Sequence, residues 1–383
     1  MTTTACPAKI TTFFQLLEQT PDLDMRDNRG KRHSLALVLT GLVAALCCGR
    51  DGNLSRLHRH MTNQFKNLLD ATELTEHKVI SRAQLPILLA KVNGSCFAKL
   101  LFEWFGLTLD EDQKYWFAVD GKELRGSIQS GDTRGEVCVS AVAHQNQQIV
   151  GQTYYCGTKE SERPAVSQLL NAQDLCHQKI TLDALHLIPL TLHSIHTANG
   201  LYIVGLKANQ ANLYRQCVCR SLFNRPDYEQ VDVQKKHHGR TEQRNYRCYS
   251  LPSLSLAPRW HTTGLATLIC VERYRQQKGI VSQEVSYFVS NAQPAGQIQA
   301  AELFDAIRQH WCVEVMHHKR DVTLAEDDLR TAKAPVSRLL SSLRTLSMNL
   351  LEGMNVKSMA AQLDNFADKF YTLIQFFTKK MIL

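Results

Sequence analysis

Apolar positions in the first hundred residues recur at helical steps. Leu54, Leu57, Met61, Phe65 and Leu68 are three or four residues apart, which predicts an apolar stripe on a helix, with Arg56, Arg59 and Lys66 off that stripe. Residues 35–48 (LALVLTGLVAALCC) form an unbroken apolar run. The run is short of the roughly 18–20 residues a membrane span needs, so it predicts a buried core helix. GRDGN at residues 49–53 reads as the turn between the two helices. Cys96, Phe97, Leu100, Leu101 and Trp104 predict a further packed helix.

At Trp116 the pattern changes. WFAVD predicts a short buried strand closed by Gly121. Residues 136–144 and 148–155, with a polar turn between them, predict a hairpin. SERPAVSQLLNAQDL predicts a helix capped by Ser161, with proline in its first turn. Residues 179–185 read as a strand, 189–199 as a helix and 201–207 as a strand. A three-strand meander followed by crossover units gives a mixed sheet with helices packed on it, an α/β class. This order resembles that of ribonuclease H-like folds, in which the first and fourth strands are neighbours. Asp120 and Asp183 then lie near the carboxyl ends of adjacent strands.

Residues 208–285 differ, with a basic stretch (KKHHGRTEQRNYR) followed by TLICVERY and EVSYFVSN. They read as a β-rich insertion interrupting the sheet. Helix returns near Gln297, with an apolar stripe through Leu303, Ile307, Trp311 and Met316. Leu339, Leu343, Leu346 and Leu350 predict another amphipathic helix, and the acidic runs 110–112 and 326–328 read as solvated loops. No internal repeat or low-complexity tract interrupts this order.

Composition narrows the picture modestly. A chain of 383 residues accommodates two or three domains, and 44% hydrophobic content argues against disorder. A formal net charge of +8 fits an anionic partner such as nucleic acid without requiring one. No signal peptide is evident, so the cytoplasm and reduced thiols are the expectation for the twelve cysteines. Cys217 and Cys219 form a lone C-x-C, weak support for structural zinc.

Asp120 in AVDGK and Asp183 in ITLDALH end predicted buried strands, where a carboxylate has little packing value. Each also fits a plain turn cap. Glu314 in HWCVE shares a helical face with His310, His317 and Asp321 at steps of four, three and four, and a solvated polar face has the same spacing. Zinc held by His310, Glu314 and His317 or His318 competes, without the H-E-x-x-H spacing. Three carboxylates from separate elements suit two hard cations for phosphodiester chemistry. Lys122 and Arg125 are placed to hold phosphates or to solvate a turn. The stretch 235–247, with Lys235, Lys236, Arg240, Arg244 and Arg247, fits either phosphate binding or an exposed basic hairpin.

Together, DMRDNRGKRHSLALVLTGLVAALCCGRDG, AVDGKELRGS, VSAVAHQNQQIVGQ, ITLDALH, IVGLKANQ, HGRTEQRNYR, IRQHWCVE and RDVTLAEDDLR resemble the bacterial insertion-sequence DDE transposases of the H-repeat-associated type, along nearly the whole chain. The resemblance implies a helical, DNA-associated domain over residues 1–108. It implies a ribonuclease H-like catalytic domain over 109–383, carrying a β-rich insertion at about 208–290. It places the catalytic, metal-holding carboxylates on Asp120, Asp183 and Glu314. It implies two Mg2+ ions, with Mn2+ as a substitute, and double-stranded DNA (transposon ends and target) as partner. It also implies a homodimer on DNA, a bacterial cytoplasm or nucleoid, and no membrane. Lys122, Arg125, Lys207, Arg240, Arg244 and His310 are its candidate DNA contacts. One departure stands out. Val315 follows Glu314 where the family commonly has asparagine, and Asp321 comes seven residues after Glu314 rather than eight. One residue fewer turns the rest of a helix by about 100°. A decayed or repurposed DNA-binding protein of the same fold is therefore the alternative, and a nuclease without strand transfer a third.

Overall fold

A computed structural model describes residues 12–49, 52–75, 77–104, 113–156, 162–237, 240–252, 255–294, 297–331 and 333–383. Ser161 and the acidic run 110–112 lie outside them. Helix α1 is Phe13–Gln19 and α2 is Leu35–Cys47. Ser34 caps α2 by accepting from the Leu37 N–H, and every residue of α2 is buried, as an apolar run without a polar face requires. The stripe from Leu54 to Leu68 is two helices, α3 (Leu54–Asn63) and α4 (Phe65–Thr72), joined at Gln64. Steps of three and four carry across that bend, so periodicity alone does not register it. Helices α5 (Leu85–Leu89) and α6 (Gly94–Trp104) follow.

The sheet opens with β1 (Trp116–Leu124), β2 (Glu136–Ala143) and β3 (Ile149–Cys156). Next come α7 (Glu162–Ala172), β4 (Lys179–Leu182), α8 (Pro189–Thr197) and β5 (Leu201–Leu206), the order the sequence predicts. Strand β1 runs antiparallel to β2 and parallel to β4, so the first and fourth strands are neighbours. Contrary to the sequence reading, β1 does not close at Gly121. Asp120–Leu124 keep pairing with Glu136–Ser140 of β2, which holds the strand extended after β4 has ended.

The segment after β5 opens with a helix that the sequence reading missed, α9 (Ala211–Phe223). It buries only Leu213 and Cys217, too little to leave a clear apolar period. Four strands then follow: β6 (Tyr228–His237), β7 (Arg240–Ser250), β8 (Thr267–Gln277) and β9 (Ile280–Ser290). This β-rich stretch, expected from the sequence between β5 and the later helices, continues the same sheet. β9 pairs with β5 from Ile203↔Ser290 to Leu206↔Tyr287, giving the order β3-β2-β1-β4-β5-β9-β8-β7-β6.

The chain ends in α10 (Gln297–Gln309), α11 (Trp311–His318), a π-helical turn at Lys319–Thr323, α12 (Ala334–Glu352), α13 (Met359–Asp368) and α14 (Phe370–Lys379). The path changes at His310, so Trp311 leaves the predicted stripe and is 61% exposed. α12 is buried nearly all round rather than on one face, and polar residues along it such as Ser341, Ser342 and Thr345 bond to Arg320, Tyr154 and Gln152. Asn349 accepts from the Ile149 N–H and donates to the Ile149 carbonyl, both at 2.9 Å, pinning α12 to β3. Sheet faces alternate with period two. Ala118 and Val142 join a core that includes α2 and α12, whereas Phe117 and Val119 join α7 and α8 on the other side. Among the described residues no disulfide forms, and no helix is long and apolar enough to cross a membrane.

One close approach ties β1 to the chain beyond α11. A Cβ at Gly126 would stand 2.1 Å from the Leu329 carbonyl oxygen, and Thr331 N–H donates to the Gly126 carbonyl at 3.0 Å. Backbone cannot yield as a side-chain tip does. Gly126→Ala is expected to cost about 1–3 kcal/mol or more, read as a lower midpoint in urea unfolding.

Candidate active site

Pairing between β1 and β4 ends at Val119↔Leu182, so Asp120 and Asp183 are the next residue on each of two adjacent strands. By strand alternation Asp120 is on the Ala118 side, toward α11, and its Oδ2 lies 3.7 Å from His317 Nδ1. Burial pushes the Asp120 carboxyl up to about 7, and the charges of Glu162 and Asp183 add to it against an opposing Gly121 N–H. Asp183 caps a 3-10 turn, Ala184–His186, accepting from the Ala184 N–H at 2.6 Å. Burial pushes Asp183 upward too, but that bond and the Lys207 ammonium outweigh it and leave it below the ordinary carboxylate value. Glu314, in the first turn of α11, is raised by burial and then by the charge of Asp183. The three carboxylates thus come from a strand, a turn and a helix, and each of Asp120 and Glu314 feels Asp183.

The other candidates have specific positions. Lys207, directly after β5, is 71% exposed in its side chain and donates to Asp183 Oδ1 at 3.3 Å. Lys122 is only 10% exposed and is held by Asp321 at 2.7 Å, Asp327 at 3.1 Å and Glu326 at 3.4 Å. Its ammonium is therefore committed within the protein. Arg125 is 77% exposed, with Asp327 3.9 Å away. Arg244 pairs with the buried Glu242. Arg240 opens β7, and its side chain lies outside the described residues. His310 Nδ1 contacts Thr181 Oγ1 at 2.8 Å, and burial lowers its pKa to about 4, against the pull of Asp183.

The four-three-four face expected for α11 does not persist. His317 faces Asp120, but the π-helical turn begins at Lys319, and Asp321 points to Lys122. The acidic run 326–328 is not a solvated loop either. Glu326 is buried and takes both ends of the Arg320 guanidinium, which is itself 1% exposed. Among the described residues no three His, Cys, Asp or Glu side chains converge tightly enough to enclose one ion.

A fourth carboxylate, which the sequence reading missed, stands beside the aspartates. Glu162, in the first turn of α7, is 8% exposed. Its Oε1 lies 3.0 Å from His186 Nε2, and its Oε2 accepts from the Tyr155 hydroxyl at 3.1 Å. The only sequence trace is Gly121 itself: a Cβ there would meet the Glu162 carboxyl carbon at 2.9 Å.

No model of a known protein family matches the chain. Several curated proteins do resemble it. The "H repeat-associated putative transposase YhhI" of Escherichia coli K12 is 26% identical over 342 residues, covering 86% of this chain and 87% of that protein. The "Putative protein YbfL" of the same strain matches with the same identity and coverage. The "Putative transposase YncI" of Escherichia coli O157:H7 is 27% identical over 270 residues, 68% of either chain. The first two matches cover most of the chain, and several of the matched proteins carry the name of H repeat-associated or putative transposases, the family that this chain resembles.

Proposed function

We propose that the protein is a DNA transposase that cuts phosphodiester bonds at transposon ends and joins the freed 3′ hydroxyl to target DNA. The observation that carries this reading is the adjacency of Asp120 and Asp183 past the end of the β1–β4 pairing, with Glu314 feeling the same charge. Asp120 is half-buried, and Asp183 and Glu314 open to solvent. Neighbouring carboxylates with few bases beside them are relieved by a hard cation, and all three candidate donors are oxygen, as magnesium prefers. When bound, two Mg2+ ions supply the activation of the attacking oxygen and the neutralisation of the leaving one. Asp120, Asp183 and Glu314 would hold them, with substrate phosphate completing the shells, so no three protein ligands need surround one ion. Lys207, tethered to Asp183 and largely exposed, is placed to meet a phosphate, as is Arg125. Residues 109–383 form the catalytic domain of this reading, ribonuclease H-like with the sheet extension built in, and 1–108 its DNA-associated part.

A concave basic face among the first helices supports a nucleic-acid partner. Arg29, Arg32, His33, Lys78 and Lys91 border it, and Arg26 is fixed there by Asp24 at 2.7 Å. Arg29→Ala with Arg32→Ala is expected to weaken DNA binding several-fold at low salt and to flatten its salt dependence by about two counterions. Filter binding across a salt series reads this, and an unchanged slope places the DNA elsewhere.

The reading is tested by affinity cleavage. Fe2+ placed in the site, with ascorbate and peroxide, should cut the polypeptide near residues 120, 183 and 314, and excess Mg2+ should suppress the cuts. Cuts confined to other segments would remove the site. One observation favours a second reading, a DNA-binding protein that has lost its chemistry: the segment from Glu314 to Asp321 is one residue shorter than is common in the family the chain resembles, and Val315 stands where asparagine is common. Wild-type protein that binds DNA but never cuts it with Mg2+ or Mn2+ would select that reading.

A further inference from the structure

Glu162 is a buried carboxylate with an unusual setting. Its ion-pair partner among the described residues is a histidine, His186, rather than a lysine or arginine. Both of its oxygens are engaged, by His186 and by Tyr155, so its orientation is fixed. It sits over Gly121, where any side chain would collide with its carboxyl group. The residue before that glycine is Asp120, and the turn ending at His186 begins after Asp183. Thus one carboxylate touches both elements that carry the aspartates. Of the charges that raise Asp120, that of Glu162 weighs more than that of Asp183. His186 is 1% exposed, and its Nδ1 has no hydrogen-bond partner, so the pair is not solvated on that side.

A buried negative charge beside two others is costly unless something positive shares the space. Removing it by glutamine would be simpler for folding, because an amide oxygen still accepts a hydrogen bond. The geometry therefore gives the charge itself a use. We propose that Glu162 is a fourth carboxylate of the cation site, a positioning residue that strengthens cation binding from behind Asp120 and fixes the Asp183 turn through His186. This rests on the cation-binding reading of Asp120, Asp183 and Glu314.

The test is Mn2+ binding to the full chain without DNA, followed by electron paramagnetic resonance of the free ion. Melting temperatures are taken on the same samples. Glu162→Gln is expected to raise the Mn2+ Kd roughly tenfold or more, because it deletes a charge at close range in a poorly solvated site. Glu162→Asp keeps the charge one methylene further back and should fall between wild type and Glu162→Gln. A role confined to folding would lower the melting temperature of Glu162→Gln and leave the Kd of its folded protein at the wild-type value. That result overturns the proposal. Should Glu162→Gln not fold, Glu162→Asp decides: a Kd equal to wild type overturns the proposal, and a weaker one supports it. Wild type that binds no Mn2+ overturns the cation site as a whole, an outcome distinct from equal binding by wild type and variant.

Discussion

Asp183→Asn is expected to abolish DNA cleavage while leaving DNA binding nearly intact, with Asp120→Asn doing the same and Glu314→Gln close behind. Each substitution keeps the side chain's size and removes one negative charge. If these carboxylates hold the cations, each is asked to supply several kcal/mol of charge stabilisation in the transition state. A loss of about 4 kcal/mol is roughly a thousandfold in rate. Asp183 should be the most informative of the three. Its carboxyl sits at the meeting point of the site, raising Asp120 and Glu314 alike while Lys207 leans on it. Initial nicking rates on a labelled duplex, beside gel-shift affinities, read the effect. Near-normal cutting by Asp183→Asn would take these residues out of the chemistry.

Breaking the Arg320–Glu326 pair should produce the largest loss of stability. Arg320 is 1% exposed and donates to both Glu326 oxygens, to Ser341 Oγ and toward Cys138 Sγ at 4.0 Å. Removing one partner of such a pair leaves the other buried and uncompensated, a cost of about 3–5 kcal/mol. Arg320→Met is expected to lose that much in urea unfolding. Arg320→Met with Glu326→Leu should recover much of it, since no unpaired charge remains. Lys122, 3.4 Å from Glu326, partly shields the single variant and keeps the loss toward the lower end.

The same pair sets an acid dependence. Burial would raise the Glu326 carboxyl, but Arg320 and Lys122 outweigh it and hold it at about 2. A glutamate in the unfolded chain titrates near 4.3. The folded carboxyl is thus the stronger acid, so its contribution is fully present above about pH 4.3 and is lost as pH falls toward 2. The gap in unfolding free energy between wild type and Glu326→Gln should therefore narrow from pH 5 to pH 3. A gap that widens on acidification would reverse the sign of this interaction.

Where the sequence pattern was strong, the fold was legible. Residues 35–47 are buried throughout because an all-apolar run has no face to give to water. The order from β1 to β5 was readable from short apolar runs between turn residues, whereas the adjacency of β1 and β4 was implied by the resemblance of that order to ribonuclease H-like folds. What escaped depends on contacts distant in sequence. β1 continues past Gly121 because β2 pairs with it there, and nothing local in DGKEL announces that. α9 shows little apolar period because it buries two residues. Glu326 looks like part of a solvated acidic run, since its partner Arg320 is poised by a π-helical turn. α12 looked one-sided because Ser341, Arg344 and Asn349 are polar yet buried.

Asp120, Asp183 and Glu314 stood out as candidates because a carboxylate at the end of a predicted buried strand, or in a motif that resembles a family's, is conspicuous. Glu162 was not, since an acidic residue in the first turn of a helix is ordinary helix chemistry. Its place over Gly121 exists only after β1, β3 and α7 have packed. Lys122 is the converse case: a lysine two residues after Asp120 reads as a phosphate contact, and folding commits it to three carboxylates instead.

Cutting and joining of DNA with divalent cations is the activity we propose for this chain. The most direct measurement follows a labelled duplex carrying the DNA that flanks the gene on either side, with any inverted repeats found there, incubated with wild-type protein in Mg2+, in Mn2+ and in EDTA. Cation-dependent nicks at the element's end with a free 3′ hydroxyl are expected, together with longer products in which that end is joined to target DNA. Stable binding to the flanking DNA without nicks in either cation, beside an active relative that cuts under the same conditions, would contradict it.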